Sequence, residues 1–568
     1  MEKRWVVKEQ APENKVRALS EAIRVSDVIT NLLVQRGVET YDQAEEFFRP
    51  DLKSLHDPFQ MKDMDKAVQR ITDAALNHEK ILVFGDYDVD GTTSVALLYT
   101  FLKWLGLNCG FYIPDRYTEG YGISFKGVDH AAENGYTLIV ALDCGIKAHD
   151  KVLYAKEKGI DFIICDHHKP DKTIPDAVAI LNPKRTDCEY PYKELAGCGI
   201  GFKLIQALAI NYDMPFEMLE QYLDLVGLSV ASDIVPITGE NRILTFHGLK
   251  RMNSAPRAGF KAIMDLVQLR KEITVNDLVF VFGPRINSAG RIETGMNAVD
   301  LLIADSPEKA KLSGDSINKT NFERRDVDTM ITQEAVDMIF ADESLKNRNT
   351  TVLYNPEWHK GVIGIVASRL IEKHYYRPTI VLTRSNGKIT GSARSVREFD
   401  LYEAIDACSH LLEQFGGHKY AAGLTMSEEN FQAFSDLFEK VVSETITADQ
   451  LRPMIEIDAP LSFSAINDSL YRILRQLAPF GPGNMTPVFY SDNVIAKREP
   501  QIVGSNHLRL SLAQEDNPTI SFNAIGFDMG EHAKQISSGK PFRISYSLRE
   551  NEWNNIKSIE LNLKDIKV

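Results

Sequence analysis

A chain of 568 residues with 44% hydrophobic and 25% charged residues has the composition of a globular protein of several domains. No apolar run approaches the ~20 residues that cross a bilayer, and Met1–Trp5 is not followed by the apolar core of a signal peptide, so no membrane segment is expected. The net charge of −14 argues against a uniformly basic nucleic-acid protein but leaves room for local basic patches.

Residues 1–75 read as helical and polar, with Ser26 capping the run Asp27–Leu33. Strand and helix signals then alternate. Strands are expected at 81–84, 109–113, 138–142, 162–165 and 177–181, and helices at 92–105, 124–134 and 147–158. That alternation predicts βαβ units and a parallel sheet. Gly91-Thr92-Thr93-Ser94 opens the first of these helices, and its free amides could face an anion. Residues 193–232 read as two helices, and the second runs into Asp233. Pro284 and the glycines mark residues 283–291 as a loop carrying Arg285, Asn287 and Arg291. Residues 297–345 are charged and helical, which suits a long helix joining two lobes.

A second α/β lobe starts at Thr351, with a small-residue helix near 361–370 and a strand at 379–382. Gly391-Ser392-Ala393-Arg394-Ser395 and Gly416-Gly417-His418-Lys419 are glycine-rich and polar, a composition that suits phosphate contacts or plain turns. Beyond residue 451 the charges balance, with 13 Lys+Arg against 13 Asp+Glu. Short strands at 486–491, 494–499, 508–513, 519–526 and 542–549, entered through Gly481-Pro482-Gly483, predict a small barrel of the oligonucleotide-binding kind. The expected domains are therefore 1–75, 76–290, 291–348, 349–450 and 451–568. The six cysteines (Cys109, Cys144, Cys165, Cys188, Cys198 and Cys408) form no Cys-x-x-Cys pair, and several fall in or beside apolar runs. Buried free thiols in a reducing cytoplasm follow.

The chemistry lies where the first-lobe strands end. The 81–84 run leads into Gly85-Asp86-Tyr87-Asp88-Val89-Asp90-Gly91, the 138–142 run into Asp143, and the 162–165 run into Asp166-His167-His168. If the strands lie parallel, these groups share one edge of the sheet, where ligands of open α/β folds bind. So much negative charge at a buried edge calls for cations. Carboxylates with one or two imidazoles suit Mn²⁺ or Mg²⁺ better than a thiolate zinc site. Taken alone, Asp233 reads equally well as a helix cap, and Arg285 and Arg291 as solvated charges.

These segments, with Ala231-Ser232-Asp233, resemble the four motifs of the DHH phosphoesterase superfamily. Arg285–Arg291 and Gly416-Gly417-His418 followed by Ala421-Ala422-Gly423 resemble its single-strand-specific exonuclease branch, and the likeness runs from about residue 45 to the C-terminus. The resemblance implies a DHH catalytic lobe, a connecting helix, a DHHA1 lobe and an oligonucleotide-binding barrel. It implies a 5′-to-3′ exonuclease that takes single-stranded DNA to mononucleotides with two Mn²⁺ or Mg²⁺ ions, in recombination and repair. By motif position Asp88, Asp90, Asp143, His167 and Asp233 are expected ligands, with Asp143 as the bridge. His168 is expected beside the scissile phosphate and Asp166 behind it, orienting a histidine ring. The superfamily often has a histidine where this chain has Phe84, and Asp86 is the candidate to replace it. Arg116, Ser392 and Arg394 match a 5′-phosphate pocket, Arg285, Asn287 and Arg291 match contacts to the DNA backbone, and His418 is a further phosphate-binding candidate. Single-strand-binding protein and a helicase are the partners the branch implies.

Two other readings compete. Smaller DHH–DHHA1 proteins hydrolyse short oligonucleotides or cyclic dinucleotides, but they lack a barrel. A catalytically dead scaffold is the other, and the intact acids and both histidines speak against it.

Overall fold

The computed structural model describes residues 2–537, 539–554 and 556–568. The chain forms two compact units: residues 45–324 with 477–485, and residues 1–44 with 325–476 and 486–568.

The first unit is built on a five-stranded sheet. Its strands are β1 (Ile81–Gly85), β2 (Cys109–Tyr112), β3 (Leu138–Leu142), β4 (Asp161–Cys165) and β5 (Ala179–Leu181). They run parallel in the order β2-β1-β3-β4-β5. β1 and β3 are buried throughout, β4 all but its first residue. That is why each reads as an unbroken apolar run rather than as an alternation. Ile81 and Val83 pack on one side of the sheet with α1 (Val89–Trp104), α4 (Gly197–Asn211) and α5 (Leu223–Ser232). Leu82 and Phe84 pack on the other with α2 (Phe125–Glu133) and α3 (His149–Glu157).

Register places the chemistry. Gly85 pairs with Leu142, and Leu142 with Cys165, so Asp86, Asp143 and Asp166 each stand one residue beyond a common line. The chain goes from β1 outward to β2 and then returns to the other side of β1 for β3. That reversal is the switch point at which open α/β sheets leave a crevice.

Residues 283–291 are not a loop. They form the helix α6 (Gly283–Ile292), which continues without a break from a π-helical turn at Leu278–Phe282, and such a widened turn is one way a helical run accommodates a proline. α7 (Pro307–Ala341) then carries the chain from the first unit into the second.

The second unit contains a sheet of β6 (Thr351–Tyr354), β7 (Thr379–Ser385), β8 (Lys388–Arg394), β9 (Gln414–His418) and β10 (Ala421–Met426), in the order β9-β10-β8-β7-β6. Its helices include α8 (Ile363–Lys373) and α9 (Phe431–Thr445). The glycine-rich segments at 391 and 416 are thus strands. Gly416, Gly423 and Ser392 form one row across β9, β10 and β8, and His418, Ala421 and Arg394 form another.

The barrel has five strands: β11 (Phe489–Ala496), β12 (His507–Gln514), β13 (Asn517–Gly526), β14 (Phe542–Trp553) and β15 (Ile556–Lys567). The order β11-β14-β15-β13-β12 closes through pairing of β11 with β12. Two expected strands fuse into β11 across an irregularity between Ser491 and Val494, where Asn493 has φ +54°. β15 has no counterpart among the expected strands, because the buried acids Glu560 and Asp565 break its alternation of apolar and polar residues. Gly481-Pro482-Gly483 is not the entry to the barrel. It belongs to the first unit, where Ile237 donates its N–H to the Pro482 carbonyl at 2.7 Å. The N-terminus also differs from its helical reading: Arg4–Val7 pairs in parallel with Met454–Ile457. All six cysteines are buried and free. Among the described residues no helix is long and apolar enough to cross a membrane.

Candidate metal centre

At the switch point Asp143, His167 and His168 offer ligand atoms that all lie within 4.8 Å of one another, and Asp90, His167 and Asp233 do the same. His167 is common to both groups. Its Nε2 is 3.2 Å from Asp143 Oδ1, 3.6 Å from Asp233 Oδ2 and 3.8 Å from Asp90 Oδ2.

Each acid is held by a different element. Asp143 sits past β3 with φ +59°, a left-handed conformation that aspartate tolerates better than most residues. Its N–H donates to the Cys165 carbonyl at 2.8 Å. Asp90 lies in the first turn of α1 and accepts from the backbone N–H of Gly197 at 2.7 Å and Cys198 at 2.8 Å, and from the Ser229 hydroxyl at 2.7 Å. The starts of α1 and α4 and the end of α5 therefore meet at one carboxylate. Asp88 caps α1 by accepting from Gly91 N–H at 3.0 Å. Asp233 is the C-cap of α5, so the cap and the candidate ligand are the same residue. Asp86 Oδ1 accepts from Gly122 N–H at 3.2 Å.

Several buried atoms here have no hydrogen-bond partner among the described residues: Asp86 Oδ2, Asp143 Oδ1, and both ring nitrogens of His167. Buried polar atoms are seldom left so. Asp143 Oδ1 and His167 Nε2 face each other at 3.2 Å without a hydrogen bond, and oxygen and imidazole donors converging in this way fit hard divalent cations. Phe84 offers no substitute ligand. It is buried and stacks on Tyr112 at 5.4 Å on the far side of the sheet. The two close groups include neither Asp86 nor Asp88; both stand in the adjoining loop.

The electrostatics agree. Burial, then the charges of Asp90, Asp88 and Asp233, pushes the Asp143 carboxyl well above the usual carboxylate range. Burial and Asp88 do the same to Asp86, and burial and Asp90 raise Asp88. Burial with Asp90 and Asp88 brings Asp233 up to about 8. Burial holds His167 below its ordinary value. A bound cation reverses each of these penalties. Asp166 behaves otherwise. Burial works to raise it, but the hydrogen bond and charge of His168 prevail and hold it at about 2. Burial likewise works to lower His168, and Asp166 keeps it up at about 9. Asp166 Oδ1 is 2.7 Å from His168 Nδ1, and its Oδ2 accepts from Ile146 N–H at 2.9 Å. Both oxygens of Asp166 are thus taken by protein donors.

These shifts fix the pH dependence of the chelated protein. A carboxyl with a raised folded pKa contributes stability below its unfolded value near 4, and that stability is lost as pH rises toward the folded value. Asp166 loses its contribution only as pH falls toward about 2, and His168 loses its own between about 6.5 and 9. The melting temperature in chelator is therefore expected to fall from pH 4.5 to 8 through the raised carboxyls, with His168 adding to the fall above about 6.5. Saturating Mn²⁺ should restore it, by about 2.7 kcal/mol at a hundred times the dissociation constant. A metal-induced gain that does not grow with pH would count against this cluster as the site.

Three family models match the chain in order: the DHH family, N-terminal domain, over residues 80–230; the DHHA1 domain over 347–444; and the RecJ OB domain over 457–565. The single-stranded-DNA-specific exonuclease RecJ of Bacillus subtilis (strain 168) is 35% identical over 100% of this chain and 71% of its own length. The chain belongs to the RecJ family. The RecJ of Salmonella typhimurium is 32% identical over 95% of each chain. The crystal structure of Thermus thermophilus RecJ in complex with Mn²⁺ superposes with a TM-score of 0.85 at 26% identity, over 100% of this chain and 79% of that one. The DHH lobe, DHHA1 lobe and barrel expected from the sequence are thus the RecJ architecture.

The remaining candidate residues fall in both units of this RecJ-family chain. In the first, the Arg116 guanidinium lies over the Tyr87 ring at 5.0 Å. Asn287 accepts from Val89 N–H at 3.1 Å and so ties α6 to the loop of acids. Arg285 donates to Asn318 Oδ1 at 3.1 Å and to the Val281 carbonyl at 2.8 Å, and the Arg291 carbonyl accepts from the Tyr117 hydroxyl. In the second, Arg394 donates to Ser392 Oγ at 2.9 Å. Both lie over the first turn of α8, where a Cβ on Gly364 would come within 2.7 Å of Ser392 Oγ and 2.8 Å of Arg394 Nη2. His418 is exposed at the end of β9. Sequence reasoning missed Tyr121, whose hydroxyl is 3.2 Å from His168 Nε2, and Ser229. Ser229 stands four residues before Asp233, a helical spacing that could have flagged it.

Proposed function

We propose that the chain is a single-stranded-DNA-specific 5′-to-3′ exonuclease acting in recombination and repair. The observation that carries this is the set of unpartnered buried donors on Asp143 and His167 at the switch point, in a chain of the RecJ family that also has the barrel. Asp88, Asp90, Asp143, His167 and Asp233 would hold two Mn²⁺ or Mg²⁺ ions, with Asp86 as an additional ligand in place of the absent histidine. Such ions activate water and neutralise phosphate oxygens. The chain's own groups do the rest. Asp166 fixes the His168 ring and keeps it protonated, so its Nε2–H can donate to a phosphate oxygen beside the cluster. Ser392 and Arg394, over the first turn of α8, are the candidates for the terminal 5′ phosphate in the second unit, with His418 in the row beside Arg394, and Arg116 is the candidate in the first. Arg285, Asn287 and Arg291 hold the backbone of the strand. The barrel delivers a single strand by stacking and charge. Single-strand-binding protein and a helicase are the expected partners, and six buried thiols suit a reducing cytoplasm.

The test is DNA labelled at either end, with Mn²⁺, Mg²⁺ or chelator. Immediate release of the 5′ label as mononucleotide, with gradual shortening of 3′-labelled strands, is expected only with metal. Arg394→Ala should narrow the preference for a 5′ phosphate over a 5′ hydroxyl by roughly tenfold, the loss of one charge-assisted contact. Cleavage limited to two- or three-nucleotide substrates would point instead to a hydrolase of short oligonucleotides, and strand binding with no hydrolysis to a scaffold.

A further inference from the structure

Ile234 is the anomaly at the cluster. It follows Asp233 directly, its φ is +61°, and it is 68% exposed. Because Asp233 caps α5, Ile234 occupies the next position, where a left-handed residue commonly ends a helix and glycine or asparagine is the usual choice. A β-branched side chain in that conformation crowds its own backbone. Leaving most of an isoleucine in water also forgoes the burial that would offset the strain. The turn itself has a purpose, since it returns the chain to buried Val235 and Ile237. Glycine would make the same turn without either cost. The isoleucine side chain is therefore what needs explaining, and strain retained beside a reactive site is often part of how the site works.

We propose that Ile234 is a specificity residue that packs on the deoxyribose of the nucleotide whose phosphate lies at the cluster, and so selects DNA over RNA. This inference rests on the exonuclease reading above. Asp233 Oδ2 is 3.6 Å from His167 Nε2, so a phosphate held by these groups brings its attached sugars within reach of the next residue. The 2′ edge of deoxyribose is a methylene, and in ribose it carries a hydroxyl. Branched methyl groups against that edge exclude water and leave a hydroxyl without a partner. An apolar wall of this kind discriminates against an added hydroxyl by at most about a hundredfold, so the effect is a preference rather than an absolute barrier.

The experiment compares 5′-phosphorylated single strands, all-deoxy or with ribonucleotides at the first positions, degraded in Mn²⁺ by the full chain. The wild type should prefer the all-deoxy strand by about 10- to 100-fold in kcat/KM. Ile234→Val should keep that preference. Ile234→Asn should narrow it at least tenfold while the melting temperature stays level or rises, because asparagine accepts the left-handed backbone. Ile234→Gly gives the same readout if the asparagine variant melts early. Equal rates on the two strands in the wild type, or a wild-type preference in Ile234→Asn, would overturn the inference and leave the exonuclease reading standing. A lowered melting temperature in both the asparagine and glycine variants would also overturn it, by making the isoleucine a requirement of the fold. A wild type that degrades neither strand would overturn both.

Discussion

Asp143→Asn is expected to stop hydrolysis while raising the melting temperature of the chelated protein. The Asp143 carboxylate is buried among Asp90, Asp88 and Asp233, and those neighbours, after burial itself, are what push its carboxyl upward. Asparagine keeps the shape, tolerates the φ of +59°, and leaves the bond from its N–H to the Cys165 carbonyl in place. Only the charge is lost. With about 1 kcal/mol of repulsion removed, the melting temperature should rise by roughly 1–2 °C. The gain should be larger at pH 8 than at pH 5, because protonation already relieves the repulsion at the lower pH. Nuclease activity should fall by more than the 10- to 100-fold typical of groups that only support a metal ligand, while binding of single-stranded DNA is largely kept. Asp143→Ala should lose activity equally but gain less stability, since alanine accepts the left-handed backbone less readily. Melting in chelator at the two pH values, with the rate on single-stranded DNA in Mn²⁺, checks both halves. Full activity in either variant would remove Asp143 from the site. A lower melting temperature for the asparagine variant would mean that the charge is not what strains the metal-free cluster.

The sheet and the meeting of acids at its edge are legible because parallel strands buried on both faces read as apolar runs, and three such runs lead into Asp86, Asp143 and Asp166. Once the strands are parallel, convergence follows from register. What supports Asp90 was not legible. Gly197, Cys198 and Ser229 come from helices more than 100 residues away, and of the three only Ser229, one helical turn before Asp233, stands at a spacing that points to the site. Residues 283–292 misled because proline and glycine were read as breakers. There the proline follows a π-helical turn inside a continuous helical run, and the small residues Ser288, Ala289 and Gly290 are buried. The 416–423 segment misled in the same way: its glycines lie in strands, in the row that ends at Ser392. Phe84 is the reverse case. Its position suggested a missing ligand, and the structure turns its ring into the opposite core.

Gly91→Ala is expected to destabilise the protein by about 3 kcal/mol, at the upper end of ordinary overpacking, and to cost activity as well. Gly91 lies in the first turn of α1, and its φ is not left-handed. In most helices the same change would stabilise by up to about 1 kcal/mol, so the sign of the effect is diagnostic. A Cβ on Gly91 would stand 2.3 Å from the Asp86 carbonyl oxygen, 2.6 Å from its nitrogen and 2.7 Å from its carbonyl carbon. All three are backbone atoms, and no rotamer relieves them. α1 cannot retreat, because Val95, Ala96, Leu97 and Leu98 are completely buried. The loop must move instead, and it carries Asp86 and the cap made by Asp88. A displacement of about 1 Å at a catalytic centre costs on the order of 100-fold in rate. Gly106→Ala is the control: Gly106 has φ +78° but nothing within 4 Å of an added Cβ, so it should lose only about 1 kcal/mol of backbone strain and keep its activity. Denaturant midpoints and Mn²⁺-dependent rates for the two variants separate crowding at the acid loop from glycine loss in general. Equal destabilisation in both, with activity intact, would mean that the loop can yield without moving the ligands.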